Sequence, residues 1–133
     1  MRFEVGTSLT RAQRNAAVAA SGFSKEAWSV TEEKVLEAVD RLVKAAAPLR
    51  LIAFGSASKG ELSSANDLDL LVVEPSVQSR YAETVRLQRA LRGILMSVDV
   101  VVTTAEQFRE RSAIPGTVEF TAHHQGRVLH DSL

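Results

Sequence analysis

At 133 residues, with 45% hydrophobic and 24% charged side chains, the chain has the balance of a single globular domain and lacks the length for a second full one. Sixteen basic residues against sixteen acidic ones leave a formal net charge of zero, which gives no electrostatic pull toward nucleic acid or an anionic membrane. The absence of cysteine excludes a disulfide framework and a thiolate metal site, and suits a reducing cytoplasm.

Residues 1–30 are expected to form an N-terminal helical arm ahead of a domain spanning 31–133. The opening MRFEVGTSLTRAQRN has no long apolar run of the signal type, and no stretch reaches the ~18 apolar residues of a membrane span, so a cytoplasmic protein is expected. Thr7, Ser8 and Thr10 offer N-caps, the alanine-rich RAQRNAAVAA favours a helix over about 10–20, and Gly22 stops it. A helix, a glycine and a second helix also make a loose helix-turn-helix pattern, but that arrangement is common. An accessory packing or dimer-forming arm, anchored by Phe23 and Trp28, accounts for it better than DNA reading, and a homo-oligomer is one state it allows.

From Thr31 the spacing becomes regular. Val35, Leu36, Val39, Leu42, Val43 and Ala46 recur at the helical period, with Thr31 as N-cap and Pro48 ending the run. LRLIAFG (49–55) predicts a short strand, SASKGEL a turn or brief helix, and DLDLLVV (67–73) a second strand closed by Pro75. Val77, Tyr81, Val85, Leu87, Ala90 and Leu91 share a broad helical face that Gly93 stops, and ILMSVDVVV (94–102) predicts a third strand. Thr103 with Glu106 and Thr104 with Gln107 are overlapping capping boxes for another helix. The end, PGTVEFTAHHQGRVLHD, fits strand or helix; a helix to about His124, stopped by Gly126 and followed by a short strand, is the preferred reading. The alternation predicts an α/β (α+β) domain, a small mixed sheet flanked by helices.

Three aspartates stand where carboxylates are costly. Strand side chains alternate, so Asp67 and Asp69 share one side while Leu68 and Leu70 take the other; Asp99 sits between Val98 and Val100. On neighbouring strands the three would repel one another strongly, and a divalent cation is the natural remedy. Ligands that are all oxygen suit Mg2+ completed by water and phosphate. Gly55 lets the backbone approach a phosphate, and N–H groups at the turn with the Ser56 hydroxyl can hold its oxygens. A P-loop is excluded, because Glu61 and Leu62 follow Gly60 where Lys and Ser/Thr are required. Arg80, Arg86, Arg89 and Arg92 read as a solvated helix face, and His123, His124 and His130 as surface or helix-end residues.

The order of helix, strand, Gly55-Ser56, ten residues, Asp67-Leu68-Asp69, helix, and strand with Asp99 resembles the nucleotidyltransferase fold of the DNA polymerase β superfamily. It looks most like the minimal nucleotidyltransferase domains, which include antitoxins paired with HEPN-type toxins. The likeness covers about residues 31–131. It implies that Asp67 and Asp69 bridge two Mg2+ ions, that Asp99 completes the second site and helps activate an acceptor hydroxyl, and that Gly55, Ser56 and Lys59 hold the β- and γ-phosphates of a nucleoside triphosphate. Lys59 stands where relatives often carry arginine, which gives up the bidentate fork, and Asn66 stands where serine often precedes the first aspartate. Only 34 residues follow Asp99, so the acceptor is expected on another chain. The resemblance implies transfer of AMP from ATP to a partner protein such as a HEPN-type toxin. The alternatives are a non-catalytic module that binds and neutralises a partner, and a small-molecule nucleotidyltransferase, of the aminoglycoside kind, working across a homodimer cleft.

Overall fold

Two hydrophobic periods, one of helix and one of strand, assemble here into a sheet covered by helices on both faces. The computed structural model describes residues 29–55 and 67–133. Helix α1 (Glu32–Ala46) begins where the Thr31 hydroxyl accepts the Lys34 N–H at 3.2 Å, and ends at Ala47 in the left-handed region, φ 46°. Strands β1 (Arg50–Phe54) and β2 (Leu68–Glu74) follow, then α2 (Arg80–Ala90) and β3 (Val98–Thr104). Helices α3 (Ala105–Arg111) and α4 (Val118–Gln125) lead into β4 (Arg127–Asp131).

The sheet order is β3-β2-β1-β4. Strand β1 is antiparallel to both β2 and β4, while β2 and β3 run parallel. A parallel neighbour needs a crossover, and α2 supplies it. Leu68, Leu70 and Val72 of β2 join Leu51, Ala53, Val98, Val100 and Val102 beneath α1 and α2, whose Val35, Ala38, Leu42 and Leu87 close that core. Leu71 and Val73 face the other way, against Ile52, Phe108 of α3 and Ala122 of α4. Both faces of β2 are covered, so its sequence is a continuous apolar run with one interruption, Asp69.

Among the described residues the expected elements are present with two differences. The third strand starts at Val98 and runs to Thr104, where 94–102 was the expectation. Ile94 and Met96 are apolar because they pack from a tight turn, held by Ile94 N–H to Leu91 O (3.2 Å) and Met96 N–H to Ile94 O (2.9 Å). Leu36 is 68% and Tyr81 81% exposed, because the buried stripes of α1 and α2 are narrower than the apolar spacing suggested. The terminal segment adopts helix then strand, with Gly126 between them. The helix expected over 10–20 lies outside the described residues.

Candidate active site

Strand register decides which carboxylates meet. In the parallel β2–β3 ladder Asp69 is the partner of Asp99, so the two aspartates occupy neighbouring positions on one face, with Cα atoms about 4.8 Å apart as in any sheet. Both are half-buried. Across the antiparallel ladder Asp69 is also the partner of Phe54, which places the end of β1 and Gly55 beside it. Gly55 has φ +74°, and a Cβ at that position would stand 2.6 Å from Asp69 Oδ2. The carboxylate therefore occupies space that any other residue at 55 would fill. Asp67 lies at the entry of β2, where pairing with β3 has begun: Leu68 N–H donates to Ser97 O at 2.8 Å.

Among the described residues no group of three or more aspartate, glutamate or histidine side chains is gathered closely enough to hold a metal ion. What register supplies is the Asp69–Asp99 pair with Asp67 two residues earlier. Two carboxylates held side by side on neighbouring strands offer the oxygen ligands that suit a hard divalent cation. Ser56 and Lys59 lie outside the described residues.

A nucleotidyltransferase domain family model matches residues 32–124, about 70% of the chain. The chain belongs to the nucleotidyltransferase domain family. The matched span runs from the start of α1 to the end of α4 and contains Gly55, Asp67, Asp69 and Asp99. Neither a curated protein nor a solved structure matches the chain. No helix among the described residues is long and apolar enough to cross a membrane.

This nucleotidyltransferase domain buries two further carboxylates that sequence reasoning did not single out. Glu119 of α4 is 2% exposed; its Oε2 accepts the Thr103 hydroxyl at 2.8 Å, and Arg111 Nε stands 3.7 Å from Oε1. It ties α4 to the far end of β3, four residues beyond Asp99. Glu74, the last residue of β2, is 6% exposed, and burial followed by its hydrogen bond to Glu83 pushes its carboxyl up to about 8. Glu83 is lowered to about 2, first by its hydrogen bonds from Arg86 and then by the one from Glu74. Arg86 grips Glu83 with Nε (2.8 Å) and Nη2 (2.7 Å), and donates through Nη1 to the Ala45 carbonyl (2.7 Å) at the end of α1. Arg86 thus pins α2 to α1, so it is more than a solvated face. The glutamate pair sits at the end of β2 opposite Asp67 and Asp69 and has no part in their site. A carboxylate closing an apolar strand just before Pro75 was the signal available for Glu74; Glu119 left none.

Proposed function

We propose that the domain is a Mg2+-dependent nucleotidyltransferase that moves AMP from ATP to a hydroxyl on a partner protein, in the manner of an antitoxin acting on a HEPN-type toxin. The observation that carries the metal-dependent part is the register pairing of Asp69 with Asp99 beside Gly55. Asp67, Asp69 and Asp99 would hold the metal, which when bound supplies charge neutralisation at the phosphates and at the attacking and leaving oxygens.

The chain's own residues do the positioning. Asp69, on a strand paired on both sides, fixes one carboxylate in place. Asp99 on β3 sets the second beside it and accepts the proton of the acceptor hydroxyl as its oxygen attacks the α-phosphorus. The bond from that phosphorus to the bridging oxygen breaks, and pyrophosphate leaves in line. Gly55 leaves room at the end of β1, and Ser56 and Lys59 hold the departing phosphates. After β3 the described residues form α3, α4 and β4, with both helices packed on the sheet that β4 joins. ATP over other triphosphates, and the HEPN-type partner, are supported by the resemblance of the Gly55-Ser56 and Asp67-Leu68-Asp69 motifs.

The test is incubation of the protein and the product of its neighbouring gene with each nucleoside triphosphate and Mg2+, followed by intact-mass measurement of both chains. One or more AMP groups on the partner, absent with EDTA and absent with Asp69→Asn, is the expected result. An unmodified partner whose toxicity is still neutralised, equally by the Asp69→Asn protein, would establish the non-catalytic binding module in its place.

A further inference from the structure

Strand β3 is an edge of the described sheet, with β2 on one side and no strand on the other. In a parallel ladder the backbone groups of alternate residues point outward from such an edge and need partners. At Asp99 the outward groups belong to its two neighbours, and one side chain meets both. Gln88, half-buried on α2, accepts the Val100 N–H on Oε1 at 2.7 Å and donates from Nε2 to the Val98 carbonyl at 3.4 Å. Only this orientation of the amide satisfies both contacts, since Val100 offers a donor and Val98 an acceptor. The primary amide thus serves as one residue of a missing strand, placed opposite Asp99.

We propose that Gln88 is a positioning residue for Asp99. By holding the peptide groups on either side, it fixes the backbone torsions of the residue between them. Those torsions aim the Asp99 carboxylate at the Asp69 side of the sheet. Asp69 needs no such help, because β1 and β2 pair on one side of it and β2 and β3 on the other. The role presupposes Asp99 as a metal ligand, as proposed above. Outer partners that orient metal ligands typically change metal affinity by about 10–100-fold when removed. A bond through the backbone is expected at the lower end of that range.

The test is Mn2+ titration of the full-length protein, followed by the electron paramagnetic resonance of free Mn2+, with thermal unfolding measured in parallel. Gln88→Met, of similar length, removes both hydrogen bonds; Gln88→Glu keeps an acceptor for Val100 N–H and sets a carboxylate oxygen against the Val98 carbonyl. Mn2+ affinity is expected to fall about tenfold for both variants, with circular dichroism unchanged. Variants that bind Mn2+ as tightly as the unsubstituted protein, while Asp99→Asn binds weakly, would overturn the positioning role and leave the metal site standing. If Asp99→Asn also binds normally, or the unsubstituted protein binds no Mn2+, the reading of Asp99 as a ligand falls and the role of Gln88 with it. Should Gln88→Met fail to fold, the more conservative Gln88→Glu decides the matter alone.

Discussion

A single missing methyl group at position 55 sets where the Asp69 carboxylate can rest. Alanine there meets two costs. The left-handed backbone, φ +74°, disfavours any Cβ by about 1–2 kcal/mol, and the new carbon would stand 2.6 Å from Asp69 Oδ2. The carboxylate is the end of a side chain and can rotate aside, so the fold survives while the ligand is displaced. Gly55→Ala is therefore expected to lower urea stability by about 1–2 kcal/mol and to weaken Mn2+ binding well beyond that of a surface Gly→Ala control. The glycine was legible in the sequence as a place where a phosphate could approach. That its open side is taken by Asp69, fourteen residues further along the chain, follows only from strand pairing, which brings Asp69 opposite Phe54.

Elements meet through contacts that local spacing reveals unevenly. Gly126 joins α4 to β4 with an ordinary negative φ, so conformational freedom is not its purpose. A Cβ there would collide with the Ala122 carbonyl and with Ile52 Cγ2, neither of which can withdraw without moving α4 off the sheet. Gly126→Ala is expected to cost about 1–3 kcal/mol, read as a lower denaturation midpoint with an unchanged slope. In the sequence Gly126 was legible as a helix stop, which is correct and incomplete. The caps were more transparent: Thr31 and Thr104 each accept the N–H three residues on, because capping is a local event that four consecutive residues encode. The start of β3 was not legible, since Ile94 and Met96 are buried from a turn and burial is all that hydropathy reports. Gln88 was equally hidden. A glutamine on a helix has no periodic signature, and its two backbone partners lie ten and twelve residues away in a strand.

At the scale of the whole molecule, the Glu74–Glu83 pair makes stability depend on pH. Glu74 is held near 8, above its ordinary 4.5, so the folded state binds a proton that the unfolded chain has released; this contribution is full below about 4.5 and is lost as pH rises through 8. Glu83, lowered to about 2, acts in the opposite sense: its contribution is present above 4.5 and is lost as pH falls through 2. Together they place the most favourable pH for this pair near the ordinary glutamate range, with a decline toward pH 8. Glu74→Gln keeps an N–H donor for Glu83 and carries no titrating group, so its denaturation midpoint is expected to stay flatter than that of the unsubstituted protein from about pH 5 to about pH 8.5. An equally steep fall in the variant would show that the alkaline loss arises elsewhere. The site carboxylates lie at the other end of β2, so the measurement reads the latch between α2, α1 and the sheet without touching them.

The order of the strands carries one last consequence. Asp69 stands on an interior strand and Asp99 at a margin of the described sheet, which sets the two carboxylates in different tiers of local opening. A sheet frays from its margins inward, which means that brief excursions of the native protein part the pair by releasing Asp99 first. Asp69, paired on both sides, is expected to open only with the fold itself, so the two carboxylates are expected to separate one at a time.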